Sequence, residues 1–469
     1  MKLGFLFTIL FYTTLLHSQT QLTLNQCVEY AMLNNLEIKQ SALNLKTSAI
    51  NVKQAKTNLL PTLSTSIGQH YQFGRSIDRF SNTFVNQTIR SNNAGLNASL
   101  VLFNGFQNQN SIKQNELLKA AAQDNLAQIK NQIALNVASA FLQVIQNTEL
   151  IKNAELQKET TTKNIERAEK MVAVGSSDLT VLLTQKAQLA NEELNLVNAQ
   201  NAKRAAIITL KFIMQMPVSE DIEPIVPSFS DDVLDNQYSI NDLYISAVAS
   251  MPQIQSAIAQ AEASAMQTKV TKGLMSPTIA VYASLNTVFS QNAKNITNIV
   301  ITGAEPIGLT ETSNERVLRP TYAYQTETIS FAKQLKENLG QSAGFNFSWN
   351  LFSGFLVQNQ IQMAKINQDI AQINLTQVQN ALLTEISNAH NNYEAAKLKY
   401  KATQNSVSAQ KTSLDYIQKR FDAGVSNSFD VIQSKNNYNM AVSNEIQAKY
   451  DLIFRALILS FYKNNTISL

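Results

Sequence analysis

The amino-acid sequence predicts an α+β membrane protein in which very long helices and short, charge-free strands recur in two tandem copies. Of its 469 residues only 15% are charged, against about 25% in soluble globular proteins. Glycine is scarce, with 13 residues in the whole chain, which disfavours turn-rich β-sandwiches and phosphate-binding loops. Asn, Gln, Ser and Thr replace the missing charges, so the chain fits neither a disordered polyelectrolyte nor an ordinary cytosolic enzyme.

The first segment has the pattern of a secretory signal peptide. Lys2 precedes an apolar run from Leu3 to Leu16, and polar residues follow at once. The run is too short and wrongly flanked for a membrane-spanning helix. We therefore assign residues 1–18 to a signal peptide and expect the mature chain to be exported. No later stretch reaches 18 uninterrupted apolar residues, so entry into a membrane would require a β-barrel.

The cysteine and histidine content excludes several kinds of site. One Cys and three His are too few for a zinc or iron–sulfur centre. Cys27 is interpreted as a free thiol on a helix and not as a lipid anchor, because the preceding Leu24-Asn25-Gln26 lacks small residues. His70 and His390 are interpreted as structural or solvated. No catalytic motif, nucleotide loop, cofactor site or metal site is found, so we predict that the protein is not an enzyme.

The chain is a tandem duplication. Gly95–Phe106 and Gly344–Phe355 share a pattern, and 249 residues separate Phe103 from Phe352. Upstream, the spacing falls to 216 residues, as between Pro61 and Pro277. The difference of 33 residues predicts an insertion in the second copy, after Pro277.

Each copy predicts the order helix, helix, strand, loop, strand, very long helix, long helix. The first copy occupies residues 19–214 and the second 239–463; a linker, 215–238, joins them and a tail, 464–469, follows. The second copy carries the longer loop, 290–341, which we expect to face the cell exterior. Ile299-Val300-Ile301 indicates some ordered structure within that loop.

Uninterrupted helical periodicity predicts the long helices. No Pro or Gly occurs from Gln107 to Val172, and such a helix would be about 99 Å long. A break at 174–177 separates it from a second helix over 179–212. The corresponding predictions in the second copy are helices over 357–421 and 429–461, with a break at 423–426. We also expect the two shorter helices of each copy to stack end to end beside the long one.

Four strands alternate between apolar and polar residues without a charged side chain. Phe345, Phe347, Trp349 and Leu351 alternate with Asn and Ser, and the segments after Pro61, Gly95 and Pro277 do the same. A soluble sheet with one face on a core is one interpretation. The other is a sheet whose apolar face meets lipid and whose polar face lines water. Four strands cannot close a barrel, so that interpretation requires two copies with eight strands or three copies with twelve.

Taken together, these motifs resemble the TolC family of outer-membrane efflux channels. The resemblance rests on the signal peptide, the duplication, the Leu59-Leu60-Pro61 helix end, and the junctions Leu102-Phe103-Asn104-Gly105 and Leu351-Phe352-Ser353-Gly354. It implies a homotrimer in the bacterial outer membrane. Its twelve-stranded β-barrel would continue as an α-helical coiled-coil barrel in the periplasm. It further implies a periplasmic adaptor protein and an inner-membrane pump or type I exporter as partners, with no role for nucleic acid.

The resemblance also implies roles for residues at the two helix-turn-helix tips. Gly175, Ser176, Gly424 and Val425 correspond to the tips that engage adaptors. Asp430 and Gln433 match positions that ring the closed aperture, and Ser426 matches a basic latch residue of well-known members, so this chain departs from the pattern. From the residues alone, the two glycines could be ordinary helix C-caps, and Asp430 and Asp178 could be helix N-caps.

These observations leave three functional hypotheses. The first is an outer-membrane channel-tunnel that exports substrates as part of a tripartite efflux system. The second is a type I protein-secretion duct. The third, from a different class, is a secreted coiled-coil interaction protein without a pore.

Overall fold

The computed structural model describes residues 20–77, 82–86, 88–226 and 238–465. The predicted signal peptide lies outside the described residues, as do 227–237 of the linker and 466–469 of the tail. The chain divides into two compact units. Unit one comprises Met1–Ile50, Glu116–Ser264 and Asn367–Leu469; unit two comprises Asn51–Asn115 and Ala265–Ile366.

The helices follow the predicted order closely. The long helix α3 spans Gln107–Ala173, where the sequence predicts 107–172, and α9 runs to Asn464, one residue into the predicted tail. The helices are α1 Leu24–Asn34, α2 Leu36–Thr57, α3 Gln107–Ala173, α4 Leu179–Met214, α5 Ile240–Ser250, α6 Pro252–Lys272, α7 Phe331–Glu337, α8 Leu356–Asp422 and α9 Ser428–Asn464.

The strands are more numerous than the sequence predicts. They are β1 Thr20–Leu22, β2 Thr62–Gln72, β3 Arg75–Ile77, β4 Phe84–Asn86, β5 Ile89–Phe103, β6 Ile222–Pro224, β7 Thr278–Ser290, β8 Lys294–Leu309, β9 Arg316–Thr328 and β10 Gly340–Ser348. Strand β6 lies in the segment predicted as a linker and pairs in parallel with β1.

The duplication is visible in matching backbone details. Helices α3 and α8 both contain 67 residues. Before each of them, two consecutive residues have positive φ: 66° and 60° at Gly105-Phe106, and 60° and 65° at Gly354-Phe355. The two junctions also share an edge-to-face pair of aromatic rings. The ring centres of Phe103 and Phe106 lie 5.4 Å apart, and those of Phe352 and Phe355 lie 5.7 Å apart.

The described residues of unit one form two large apolar clusters and a small third one, in which Ile165 and Ala168 of α3 pack with Leu182 of α4. The first surrounds Phe141 and Ile145 of α3 and includes Leu210 of α4 and Cys27 of α1. The second joins α5, α6, α8 and α9 around Tyr393. Each fully buried Leu, Ile or Phe side chain contributes about 1.5–3 kcal/mol to the free energy of folding. These clusters therefore stabilise the packing of helices that are otherwise rich in Asn and Gln.

Asn35 joins two helix ends in unit one. Its side-chain oxygen accepts from the backbone N–H of Glu37 at 2.9 Å, which caps α2. Its amide nitrogen donates to the carbonyl of Ile213 at 2.9 Å, so it supplies a partner for one of the free carbonyl groups at the C-terminal end of α4. The start of α2 therefore lies against the end of α4, as the predicted end-to-end stacking requires.

Cys27 is a free thiol on helix α1, as predicted, and the structure shows that it is buried. Burial raises the pKa of the Cys27 thiol to about 12. Since only the thiolate is nucleophilic, we expect its alkylation by maleimide near neutral pH to be about a thousandfold slower than that of a model thiol. Thiol labelling of the folded and the denatured protein tests this; equal rates in both states would contradict it.

Unit two contains an antiparallel four-stranded sheet in the order β10-β7-β5-β2. Two details correct the sequence analysis. Strand β10 ends at Ser348, and Trp349 instead donates from Nε1 to the carbonyl of Met275 at 3.0 Å. Strand β5 is longer than predicted and includes a charged residue, Arg90, whose guanidinium carbon lies 5.6 Å from the ring centre of Phe289.

The predicted loop 290–341 is largely ordered. Strands β8 and β9 form a long hairpin, and α7 follows it. The side chain of Gln334 in α7 bonds the backbone of Ser290 and Ile329, which fixes α7 beside the base of the hairpin. The 33-residue insertion inferred from the repeat spacing therefore corresponds to a β-hairpin in place of an irregular loop.

Candidate functional site: the helix-turn-helix tips and the four-stranded sheet

The two tips in unit one end their long helices in the same way. Gly175 and Gly424 both have φ of 72°. At the first tip, Ser176 N donates to Met171 O at 2.9 Å and Gly175 N to Val172 O at 3.0 Å. Val425 and Gly424 make the equivalent bonds to Arg420 and Phe421. Both turns are Schellman motifs, so the interpretation of the glycines as helix C-caps is confirmed.

Asp178 is the N-cap of α4, as the sequence predicts. Its carboxylate accepts from the backbone N–H of Thr180 at 2.7 Å. This hydrogen bond from the backbone lowers the pKa of Asp178, because it stabilises the charged form.

Asp430 is not a cap, which corrects one of the two interpretations of this residue. Asn427 caps α9 instead, accepting from the backbone N–H of Asp430 at 2.9 Å. The hydroxyl of Ser426 donates to Asp430 Oδ2 at 2.8 Å. Ser426 and Asp430 are thus brought together, whereas Gln433 donates to Asn437, one turn further along α9. The carboxylate of Asp430 lies in the first turn of α9, where the helix dipole favours a negative charge.

A buried polar network that the sequence analysis missed links α9 to α3 and α4. Lys435 Nζ lies 3.2 Å from Glu192 Oε1, with side chains only 12% and 2% exposed. Lys435 also donates to the hydroxyl of Thr161 on α3. Beside this ion pair, Gln188 and Asn436 exchange amide hydrogen bonds of 2.8 and 3.4 Å. One oxygen of Glu192 has no hydrogen-bond partner.

No sequence signal could have found this network directly. Glu192 and Lys435 are 243 residues apart, and each lies in a helix that already contains other charged residues. The repeat alignment gives a hint of it, because it predicts that the α3–α4 and α8–α9 hairpins are equivalent structures. Exposed ion pairs of unit one, such as Arg167 with Asp422 at 3.9 Å, contribute little to stability.

In unit two, the register of the sheet separates two chemically different faces. Directly paired residues share a face, and Leu96 pairs with Leu285 while Phe345 pairs with Val281. On the opposite face, Ser284 Oγ lies 2.7 Å from Ser342 Oγ. The apolar face includes Leu63, Ile67, Leu96, Leu100, Val281, Leu285, Phe345 and Phe347; the polar face includes Ser64, Ser66, Asn97, Ser99, Ser284, Asn286, Ser342 and Asn346.

The edge strands of this sheet are uncovered. Every position of β2 except Gly68, and every position of β10 except Gly344, is exposed. In the part of the chain that the structure describes, neither strand pairs on its outer side. None of the described helices combines the length and hydrophobicity needed to cross a membrane.

The sequence profile of the outer membrane efflux protein family matches residues 28–214 and 243–460. The chain belongs to this family. The two matched segments correspond to the two repeats of this outer membrane efflux protein. Members of the family are non-enzymatic transport proteins of the outer membrane, and the chain is assigned to that membrane.

Several solved structures share the fold of this efflux protein. The CusC channel is 13% identical with a TM-score of 0.75, covering 94% of this chain and 91% of that one. VceC from Vibrio cholerae is 15% identical (TM-score 0.71; 94% and 95% covered), and CmeC from Campylobacter jejuni is 16% identical (TM-score 0.71; 94% and 85% covered). No curated protein sequence matches the chain significantly. Among the described residues, no cluster of His, Cys, Asp or Glu could hold a metal ion.

Proposed function

We propose that three copies of this outer membrane efflux protein close a twelve-stranded β-barrel and form an export duct in a tripartite efflux system. The observation that carries the proposal is the four-stranded sheet with two unpaired edges. Unpaired backbone N–H and C=O groups are prohibitively costly in lipid. A chain assigned to the outer membrane therefore needs another copy at each edge.

The topology of the sheet is compatible with closure. Successive strands in the order β10-β7-β5-β2 are antiparallel, so β10 and β2 run in opposite directions. The β10 strand of one copy could then pair antiparallel with the β2 strand of the next, and the alternation would continue around a ring. Three copies give twelve strands, and the Ser- and Asn-rich face would line a water-filled bore.

The helical part of the duct would receive substrate from partner proteins. We propose that Gly175, Ser176, Gly424 and Val425, at the two Schellman turns, contact a periplasmic adaptor, which in turn joins an inner-membrane pump or type I exporter. Two observations support these contacts. Both tips have the same turn geometry, and 66% of the surface of Val425 is exposed. The turn of a helical hairpin is also its free end, because neither helix continues beyond it.

The trimer and the pore can be tested together. We expect the protein, extracted from outer membranes in detergent, to migrate as a trimer without heating and as a monomer after boiling. Reconstituted in planar bilayers, it should give discrete conductance steps. A monomer that is freely soluble without detergent and gives no conductance would contradict the proposal and favour the secreted coiled-coil hypothesis.

A second expectation concerns Asp430, which we propose lines the periplasmic aperture. Three copies of this carboxylate near an axis would attract cations, and the effect would be screened by salt. In Asp430→Asn channels we expect the cation-to-anion permeability ratio to fall about two- to tenfold at low salt. Asp178→Asn, at the equivalent tip, is the matched control, since Asn is an equally good N-cap. Unchanged selectivity in Asp430→Asn would remove Asp430 from the aperture.

A further inference from the structure

The β8–β9 hairpin of unit two has one continuous apolar face that nothing in the described chain covers. All positions of β8, and all but Thr321 of β9, are exposed. Cross-strand pairs on this face include Ile299 with Tyr324 and Ile301 with Tyr322. The whole face consists of Lys294, Ile296, Ile299, Ile301, Ala304, Pro306, Leu309, Arg316, Leu318, Pro320, Tyr322, Tyr324, Thr326 and Thr328. Its two charged members, Lys294 and Arg316, lie at the two ends of β8 and β9.

Irregularities in β8 create this face. The register shifts between Ile296 and Asn298, between Ile301 and Gly303, and between Pro306 and Gly308. Each shift is a bulge that adds one residue to β8. Without the first bulge, Ile296 and Ile299 would point to opposite sides, because their separation is odd. The bulges therefore gather apolar residues on one side, while the other side carries polar pairs such as Glu305 with Arg319.

An isolated hairpin of this kind is marginally stable in water, so this face needs a cover. Addition of a further strand at an edge is disfavoured, since Pro306 in β8 and Pro320 in β9 each remove a backbone donor and the bulges distort one edge. The cover must therefore pack on the face. Contiguous exposed apolar surfaces of this kind mark interaction sites.

The charges argue against the surface of an anionic membrane as the cover. From 294 to 328 the hairpin carries Lys294, Arg316 and Arg319 against Glu305, Glu311, Glu315 and Glu327, so its net charge is −1. Two of the acidic residues, Glu311 and Glu315, lie at its tip. Anionic head groups attract basic segments and repel this one.

We infer that the cover is the same hairpin of neighbouring copies, with the apolar faces of three hairpins packed together around the trimer axis. This inference rests on the proposed trimer. Each copy would bring its hairpin to the same end of the barrel, at the high effective concentration of a tethered partner. The centre of each apolar face, between Lys294 at one end and Arg316 at the other, carries no charge, so the centres of identical faces do not repel one another. Sheets pack face to face at about 10 Å. The polar faces then meet water.

Cysteine cross-linking of the full-length protein in outer membranes tests this contact. Ile301→Cys places a thiol on the apolar face, and Val300→Cys, its neighbour on the opposite face, is the matched control. With a short bismaleimide we expect Ile301→Cys to give about tenfold more covalent dimer than Val300→Cys. Tyr322→Cys and Ala323→Cys repeat the comparison on β9. The natural Cys27 is buried and should contribute no product.

The outcomes separate this inference from the proposed function. Unheated samples of each variant report the trimer independently of the hairpin. A heat-modifiable trimer in which both faces cross-link equally, or not at all, overturns the packing of hairpins and leaves the duct in place. Protection of Ile301→Cys from a water-soluble maleimide without any cross-link assigns the face to lipid or another protein, and also overturns it. Absence of the trimer in the unsubstituted protein overturns both.

Discussion

Replacing Lys435 with methionine is expected to destabilise the packing of α9 on α3 and α4 by about 3–5 kcal/mol. The substitution leaves the carboxylate of Glu192 buried at 2% exposure without its counter-charge. One oxygen of that carboxylate already lacks a hydrogen-bond partner, and the other would keep only the neutral amide of Gln188, which donates to it at 3.1 Å. Methionine has a volume similar to that of lysine, so no cavity adds to the loss of stability.

Hydrogen exchange of α9 amides and unfolding in guanidinium, followed by far-ultraviolet circular dichroism, would measure this loss. Lys449→Met is the matched control, because Lys449 is an exposed lysine of the same helix and its replacement should change stability by less than about 0.5 kcal/mol. The double variant Lys435→Met with Glu192→Met should recover most of the loss, since a buried ion pair replaced as a whole by apolar groups is often neutral or better. Equal stability of Lys435→Met and Lys449→Met would contradict the importance of the pair.

Replacing Gly105 with alanine is the second change with a large expected effect. Gly105 has φ of 66°, and a Cβ there would lie 2.5 Å from the carbonyl oxygen of Gly273 and 2.6 Å from Cβ of Ser276. A left-handed conformation costs a residue with a side chain about 1–2 kcal/mol. The clash with backbone adds about 1–3 kcal/mol, because the facing turn must move.

The repeat itself supplies the control for Gly105. Gly354 occupies the equivalent junction with φ of 60°, but a Cβ there would meet nothing within 4 Å. Gly354→Ala should therefore show the conformational cost alone. The single tryptophan, Trp349, bonds the carbonyl of Met275 at 3.0 Å, close in sequence to Gly273, so its fluorescence reports unfolding of this region in denaturant. Equal midpoints for the two variants would contradict the predicted clash.

Much of the fold follows from local patterns. The absence of Pro and Gly from Gln107 to Val172, together with apolar residues at helical spacing, predicts one long helix. Gly175 and Gly424 end their helices because glycine readily adopts the left-handed conformation of the turn. The four strands of the sheet follow from alternation of apolar and polar residues. Their ends do not, since Trp349 continues the apolar pattern but bonds outside the sheet.

The site divides in the same way. The tip residues Gly175, Ser176, Gly424 and Val425 were located from the repeat, because a turn between two long helices leaves a local signature. The N-cap of α9 could not be predicted from the sequence in this way. Asn427, and not Asp430, caps α9, because the backbone geometry decides which of several polar residues accepts from the free N–H groups.

By itself, the sequence determined the duplicated architecture, the helix breaks and the charge-poor strands, since each is a property of neighbouring residues. Only the tertiary structure decided that Glu192 meets Lys435 across 243 positions and that the insertion is a hairpin with one apolar face. The physical reason is that both depend on register: which helix turn lies beside which, and where bulges shift a strand by one residue. Such choices are made by packing between distant segments, and no local pattern records them.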